Sequence, residues 1–341
     1  MSDRPFKDEG LPSFPRVFSF LEHRHAWAAA AIGTATMVLF FVSTLDGVTL
    51  RAAWQAVSPR LLLVTAALIG INGLLDGLWL SIITRAPKRN AYRVVAWHMV
   101  LSSILPARLG DLGWMVLVHS WLAQPVARAV FVMFYHRLQD FIVVSLMLVL
   151  SLFVTRMHIG GTPVLVAALL VLAVMVAVCT SLGRLLAVLA ALLLRLHRYF
   201  HRRWLRSALG HVLRIRIWYR HRLCRKQVVL SGLVIVLRWV TILAAVAIVI
   251  RTLATQINAS DSFLLANSYV YFGILPVQSI GGFGTGEAGL AWMLTHYGVP
   301  LAKASALGLF MRLLINFVHV VLWALVVGWL RLVGRGVRGG S

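Results

Sequence analysis

One pattern occurs twice in the chain: an acidic residue follows a proline- and glycine-broken apolar segment, and an arginine lies inside the apolar stretch that comes next. In the first copy Arg137 follows Asp111 by 26 residues, and in the second copy Arg312 follows Glu287 by 25 residues. Charged side chains in apolar surroundings are costly unless they pair or serve a function. Two copies at nearly equal spacing predict a fold built from two related halves.

Composition places the chain in a membrane. Its 341 residues are 60% hydrophobic and only 13% charged, whereas a soluble domain carries about 25% charged residues. The formal net charge is +23, and the positive residues lie between the apolar stretches, as the positive-inside rule describes. No recognised nucleic-acid motif is present, so we expect a polytopic all-α membrane protein and no nucleic-acid partner.

Six apolar stretches are long enough to cross ~30 Å of hydrocarbon. They cover about residues 26–44, 60–83, 127–155, 163–183, 228–251 and 302–330. The flanking basic residues predict a cytoplasmic N-terminal tail at 1–25 and a cytoplasmic tail at 331–341. The pattern of a cleavable signal peptide is missing, so we expect the first span to remain as an anchor. Residues 26–330 would then form one membrane transport domain.

Two further segments, 94–122 and 263–298, are apolar but broken by Pro106, Pro276 and several glycines. Irregular backbone at membrane depth is tolerated only where protein or water covers it. A kinked span would be one solution. We expect a re-entrant pair of half-helices instead, because the apolar piece before Pro106 is too short to cross.

The charge pattern gives the two halves opposite orientations. Repeat 1 (about 60–155) has its arginine-bearing helix running from inside to outside, and repeat 2 (about 228–330) has its own running from outside to inside. This is an inverted-topology repeat, an arrangement of many secondary transporters that bind substrate near the midplane. We therefore expect the site between the two broken segments.

Arginine is the side chain best suited to hold phosphate there, because its planar and permanently charged fork matches phosphate oxygens. The candidates are Arg108, Arg137 and Arg312. Neutralisation by nearby carboxylates is the alternative role, and Asp140 lies three residues after Arg137 on the same helix face. Both roles are compatible if a lipid phosphate competes for the arginine.

The carboxylates leave two roles open. Asp111 and Glu287 either pair statically with arginines or carry protons that couple transport, since burial favours the protonated carboxyl. Asp76 is either a third coupling carboxylate or the partner of Arg238. The sequence does not decide between these roles.

The stretch Gly281–Glu287 is glycine-rich, with Gly284 and Gly286 just before the acid. It lacks the Gly-Lys-Ser/Thr ending of a phosphate-binding loop. We interpret it as an unwound hinge whose N–H groups meet an anionic head group. Tight helix packing through small residues is the alternative.

The segment from Arg184 to Lys226 carries twelve Arg/Lys, four His and no acid. Its interleaved aromatic and aliphatic residues are typical of amphipathic helices that lie on an anionic leaflet. A solvated loop is the alternative. We expect anionic membrane lipids to be its partners.

No cofactor, metal site or disulfide is expected. Cys179 and Cys224 lie at different predicted depths, and no histidine spacing suggests metal. The scattered histidines are expected to find single hydrogen bonds; they are His98, His119, His136 and His319. Four aromatic residues are expected in the interfacial belt; they are Tyr269, Tyr271, Trp292 and Tyr297.

The two broken segments resemble the flippase-like integral membrane family, which includes the transmembrane part of lysylphosphatidylglycerol synthases and membrane proteins linked to hopanoid or glycolipid biosynthesis. The residues that carry the resemblance are Leu105-Pro106-x-Arg108-x-Gly110-Asp111, Arg137-x-x-Asp140, Gly281-Gly282-Phe283-Gly284-x-Gly286-Glu287 and Arg312. Asp111 stands where the family usually has a glutamate. The resemblance implies movement of a lipid between leaflets, with its head group in a cavity between the repeats.

We therefore expect a translocase for a phosphate-bearing phospholipid or glycolipid in a bacterial inner membrane, and not an enzyme. The chain ends soon after its last span, so we expect any lipid-synthesising enzyme to be a separate polypeptide. A homodimer is left open. One alternative is a membrane enzyme acting on lipid-linked sugars, although only Asp46 and Asp261 lie in predicted external loops. Another is a non-transporting partner that recruits a synthase.

Overall fold

In a computed structural model, the described residues are 47–104, 109–155, 162–200, 203–222, 225–274 and 284–336, and they form eleven α-helices. The helices are α1 (Gly47–Gln55), α2 (Pro59–Thr84), α3 (Lys88–Ile104), α4 (Leu109–Trp121), α5 (Val126–Thr155), α6 (Thr162–Phe200), α7 (Arg203–Arg222), α8 (Arg225–Leu253), α9 (Ala259–Ile274), α10 (Thr285–His296) and α11 (Leu301–Gly336). The expected all-α class is confirmed for these residues.

Four helices in the described part of the chain are long and apolar enough to cross a membrane. They are Pro59–Thr84, Val126–Thr155, Lys226–Leu253 and Leu301–Val326, and they coincide with four of the six predicted spans. The predicted span at 26–44 lies outside the described residues. The span predicted at 163–183 lies within α6.

Local sequence signals set the ends of α2. Ser58 occupies the N-cap, and its hydroxyl accepts a hydrogen bond from the Leu61 N–H at 3.1 Å. Pro59 follows at the first helical position, where its missing N–H costs nothing. The helix ends at Arg85, whose φ of 57° lies in the left-handed region that stops helices.

Helices α2 and α5 run in opposite directions. The Arg128 guanidinium at the start of α5 donates to the Thr84 carbonyl at the end of α2 (3.3 Å). Further along α5, His136 lies against Asp76, which is earlier in α2.

Helix α8 is also antiparallel to α2. Its Gln227 side chain donates to the Ile82 carbonyl at 3.1 Å, and Arg238 bonds Asp76, which is earlier in α2. Since α5 and α8 both oppose α2, they run in the same direction.

Helix α11 runs in the same direction as α2. Trp54 meets Phe310 with ring centroids 6.3 Å apart, and the Trp323 ring packs directly on Gly73. Because α5 opposes α2, helices α5 and α11 are antiparallel. The two helices that carry Arg137 and Arg312 therefore point in opposite directions.

The first broken segment forms a helical hairpin of α3 and α4. The two helices approach so closely that a Cβ added at Gly110 would lie 2.5 Å from the Ser102 Cα. At the other end of the hairpin the Trp97 and Trp121 rings meet edge to face at 6.4 Å. The link at 105–108, which holds Pro106 and Arg108, lies outside the described residues.

The second broken segment repeats this arrangement with α9 and α10. The Thr285 hydroxyl at the start of α10 donates to the Phe272 carbonyl near the end of α9 (2.6 Å). At the open end Tyr297 is hydrogen-bonded to Asp261. Residues 275–283 lie outside the described part of the chain.

The hairpins open at opposite ends of the bundle. The first opens beside the end of α2 and the start of α5, and the second opens beside the end of α8 and the start of α11. Each hairpin also packs against the arginine-bearing helix of the other half: α3 contacts α11, and α9 contacts α5. The two halves are thus interleaved around a common centre.

Helix α6 extends beyond the predicted span. That span was placed at about 163–183, and the helix continues without a break to Phe200 and holds 39 residues, about 58 Å at 1.5 Å per residue. Residues 185–194 are leucines, alanines and one valine, which favour helix, and no proline or glycine interrupts them. Helix α7 folds back against α6 and touches α5. The basic segment therefore comprises the end of α6 together with α7.

Candidate functional site

A cavity of about 280 Å³ lies between α2, α3, α4, α5, α8, α9 and α11. Both hairpins and both arginine-bearing helices contribute to its wall. Nine charged or titratable residues line it; they are Asp76, His98, Asp111, His136, Arg137, Arg238, Tyr269, Arg312 and His319. The structure thus brings the two copies of the sequence pattern to one site.

In the first half, Asp111 lies in the first turn of α4 and accepts a hydrogen bond from Arg137 Nη2. Arg137 Nη1 also donates to Asp140 Oδ2, at 3.3 Å. The Arg137 side chain keeps 30% of its surface exposed, against 16% for Arg312 and 9% for Arg238. Arg137 is therefore the most accessible of these three guanidinium groups.

In the second half, Glu287 lies in the first turn of α10, and its Oε1 accepts a hydrogen bond from Arg312 Nε at 2.5 Å. The Tyr269 hydroxyl donates to the same oxygen at 3.4 Å. The Arg312 guanidinium also lies 5.0 Å from the centre of the Tyr269 ring. In each half, then, an acid that begins the second half-helix binds the arginine of the following long helix.

The two glycines before Glu287, Gly284 and Gly286, are required for different reasons. Gly284 has a φ of 145°, which side chains rarely adopt, and its N–H donates to Glu287 Oε2 at 2.7 Å. A Cβ at Gly286 would lie 3.1 Å from Arg312 Nη2, so glycine lets the arginine approach the helix start. The Gly284 N–H, predicted to meet a head group, binds the glutamate instead.

Between the halves lies a third group of charges. Arg238 on α8 donates to Asp76 Oδ2 at 3.3 Å and also to Asp140 Oδ1. Asp140 is fully buried and accepts a further hydrogen bond from Trp239 Nε1 at 2.9 Å. Of the two roles left open for Asp76, the partnership with Arg238 is present in the structure.

His136 joins this group, and the sequence alone did not single it out. Its Nε2 lies 3.1 Å from Asp76 Oδ1, and its Nδ1 lies 3.3 Å from Asp140 Oδ2. The Trp79 and Trp114 rings stand edge to face with the imidazole at 4.5 and 4.8 Å. The four-residue spacing from His136 to Asp140 was the one available signal.

The other histidines follow the prediction of one backbone hydrogen bond each. These are His98 with Gly110 (3.2 Å), His119 with Gln124 (2.6 Å) and His319 with Ile315 (3.0 Å). Tyr269 does not follow its own prediction. It was expected in the interfacial belt, but it is only 4% exposed and lines the cavity. Its hydroxyl belongs to the Arg312 pair.

The sequence model of the family described as "Lysylphosphatidylglycerol synthase TM region" matches residues 26–322. Neither a curated protein nor a solved structure matches the chain. The match spans both hairpins and all of the charged residues described above. The chain therefore belongs to the lysylphosphatidylglycerol synthase transmembrane-region family.

Proposed function

We propose that the protein is a lipid translocase that moves a phosphate-bearing phospholipid or glycolipid between the leaflets of a bacterial inner membrane. The observation that carries this proposal is the charged cavity, which is lined by both hairpins and by Arg137 and Arg312. The lipid-related family supports it. The head group would occupy the cavity while the acyl chains remain in the bilayer.

The helix directions support an inverted-topology repeat. Arg137 lies eleven residues after the start of α5, and Arg312 lies eleven residues after the start of α11. At 1.5 Å per residue each is about 16 Å from its helix start. Because α5 and α11 are antiparallel, both arginines fall near the middle of ~30 Å of hydrocarbon.

The hairpin lengths support re-entrant segments. Helices α3, α4, α9 and α10 hold 17, 13, 16 and 12 residues, whereas a full crossing needs ~20. The hairpins would enter from opposite leaflets, and six full spans would complete the fold with both termini in the cytoplasm. Alternating access would then arise from movement of one half against the other.

The ion pairs suit a site that opens for an anion. A lipid phosphate can take the place of Asp111 on the exposed Arg137, or of Glu287 on Arg312, because arginine binds either oxyanion with the same fork. Asp140 is fully buried, so its role would be to hold Arg137 in place. Arg108 lies outside the described residues and stays a candidate.

The enzyme alternative has less support. Catalysis on lipid-linked sugars would use a carboxylate as acid or base. Within the described residues, each of the four carboxylates at the site bonds a guanidinium group; they are Asp76, Asp111, Asp140 and Glu287. Such pairing holds a carboxylate in its charged form and opposes proton donation.

The test is translocation of fluorescent phosphatidylglycerol in proteoliposomes. The dye-labelled lipid is inserted in the outer leaflet, and the fraction that moves to the inner leaflet is read as the fraction protected from dithionite. Wild type is compared with Arg137→Ala and Arg312→Ala. Arg251→Ala serves as the matched control, because Arg251 is an exposed arginine in the last turn of α8. We expect translocation by wild type and the control, and its loss in both site variants.

Unchanged translocation by folded Arg137→Ala and Arg312→Ala would contradict the proposed site. If wild type moves neither fluorescent phosphatidylglycerol nor a fluorescent phosphoglycolipid, the translocase assignment fails. Turnover of a lipid-linked sugar by the same preparation would then establish the enzyme.

A further inference from the structure

His136 has an environment unlike that of the cavity's other titratable groups. Each of its two ring nitrogens faces a different carboxylate, with Nε2 at 3.1 Å from Asp76 and Nδ1 at 3.3 Å from Asp140. The ring is 95% buried and lines the cavity. The Nδ1 contact is close, although its angle does not make a hydrogen bond in this state.

A neutral imidazole cannot satisfy both contacts. It carries one N–H donor and one lone pair, so one carboxylate oxygen would face a lone pair at close range in a buried site. The imidazolium carries two N–H donors and can meet both carboxylates. The positions of Asp76 and Asp140 therefore fit a ring that carries both N–H donors.

The Trp79 and Trp114 rings stand edge to face with the imidazole. Other charged and titratable groups face His136 from each neighbouring helix; they are Asp76 (α2), His98 (α3), Asp111 (α4), Arg137 and Asp140 (α5), and Arg238 (α8). Arg238 and Arg137 offset part of the negative charge of Asp76 and Asp140.

The carboxylates suggested by sequence are less suited to carrying a proton. Asp111 bonds Arg137 directly, and Glu287 bonds both Arg312 and a backbone N–H. Protonating either one would break a charge-assisted hydrogen bond. Protonating His136 breaks none and lets its second nitrogen donate.

We propose that His136 is a proton-binding site, and that it loads and releases one proton as the cavity opens and closes. The Asp76–Arg238 bond joins α2 of the first half to α8 of the second. Movement of the halves would shift Arg238 relative to Asp76 and Asp140, and so change the positive charge beside the two carboxylates that face His136. The proton would come from water on one side and leave to water on the other. The coupling part rests on the proposed function.

The proton site is tested without any lipid cargo. Full-length protein labelled with ¹⁵N-histidine is placed in nanodiscs, and the His136 signal is assigned by its loss in His136→Gln. His296→Gln is the matched control, because His296 is exposed and bonds only the Trp292 carbonyl of its own helix. We expect imidazolium nitrogen shifts for His136 at pH 7 in wild type and neutral-ring shifts in Asp76→Asn.

The coupling is tested with fluorescent phosphatidylglycerol in vesicles under an imposed gradient of one pH unit. Exchange of one proton per lipid sustains a leaflet ratio of up to about tenfold. We expect wild type and His296→Gln to shift the dye distribution with the gradient, and His136→Gln to distribute it evenly.

A singly protonated, neutral His136 ring at pH 6 and 7 in wild type would overturn the proton site, whether or not lipid moves. An equal response of wild type and His136→Gln to the gradient would overturn the coupling. If wild type moves no lipid at all, the proposed function and the coupling fail together, while the nitrogen shifts still decide the proton site.

Discussion

The two halves of the protein contain the same kind of acid–arginine pair, but the residues around the two pairs differ. In the first half Arg137 bonds two carboxylates, and one of them, Asp140, is shared with Arg238. In the second half the described residues give Arg312 only one carboxylate, Glu287, together with the Tyr269 ring. One pair belongs to a network, and the other stands nearly alone.

This difference decides whether each arginine keeps a carboxylate partner when one of its ion pairs opens. A network with shared partners keeps its charges satisfied when one bond opens, so Arg137 can turn toward a phosphate and remain anchored by Asp140. Arg312 has no second carboxylate in the described part of the chain, so opening its bond to Glu287 leaves the guanidinium beside the Tyr269 ring. We infer that the first half is a fixed binding element and that the second half responds to its occupation.

The largest effect is expected when Asp140, the residue at the centre of the network, is replaced. Asp140→Ala would leave Arg137 with fewer partners and Arg238 with Asp76 alone, in a buried site. Uncompensated buried charges cost about 3–5 kcal/mol. We expect the largest loss of stability here, measured by reversible unfolding in mixed micelles.

Arg251→Ala is the control for this loss, because Arg251 is an exposed charged residue in the last turn of α8. An Asp140→Ala protein no less stable than that control would show that the network does not hold the first half together.

Double-mutant cycles compare the two pairs directly. One cycle combines Asp111→Ala with Arg137→Ala, and the other combines Glu287→Ala with Arg312→Ala. We expect a coupling free energy of about 2 kcal/mol for the second pair and about 1 kcal/mol for the first, because Arg137 keeps Asp140 when Asp111 is lost. Equal coupling in the two cycles would contradict the proposed asymmetry.

The sequence offered the pairs only as alternatives, and it did not show the network. Arg137 could pair with Asp111 or Asp140, Arg312 with Glu287, and Asp76 with Arg238, each as the alternative to a role in phosphate binding or proton coupling. Arg238 meets Asp76 and Asp140 only because three helices cross at one height. That register depends on packing between helices, and no local pattern encodes it.

Helix α6 shows a second limit of sequence interpretation. The predicted span ended before Arg184, because a charge in hydrocarbon is costly. The charge limits where the membrane can lie, but it does not stop a helix. Residues 185–194 have helix-favouring side chains, so the backbone continues.

A matched pair of glycines sharpens the comparison at the hairpins, since Gly110 and Gly286 each directly precede the acid. A Cβ at Gly110 would strike the Ser102 backbone at 2.5 Å, whereas one at Gly286 would press on the end of the Arg312 side chain at 3.1 Å. We expect Gly110→Ala to cost about 1–2 kcal/mol of unfolding free energy and Gly286→Ala to cost less.

Translocation should reverse this order, because Gly286→Ala moves Arg312 and leaves the fold intact. A Gly286→Ala protein that is less stable than Gly110→Ala, with normal translocation, would show that Gly286 serves packing and not the placement of the arginine.

The smallest expected effect concerns how the hairpins are closed at their open ends. The first is held by stacking, with the Arg93 guanidinium 5.1 Å from the Trp121 ring centre. The second is held by the hydrogen bond between Tyr297 and Asp261, and burial, then the negative charge of Asp261, raises the pKa of Tyr297 above its ordinary value near 10.

A raised phenol pKa means that the neutral, hydrogen-bonding form is favoured in the folded state. Its contribution to stability is therefore present below about pH 10 and is lost as pH rises through the raised pKa. We expect the alkaline end of the stability profile to be flatter in Tyr297→Phe, with Tyr199→Phe, which removes a phenol that is 86% exposed, matching wild type. The phenolate absorbance missing in Tyr297→Phe should appear at a higher pH than that missing from the control. If the two absorbances rise together, the second hairpin is not closed by this bond, and its mouth differs from the first only in sequence.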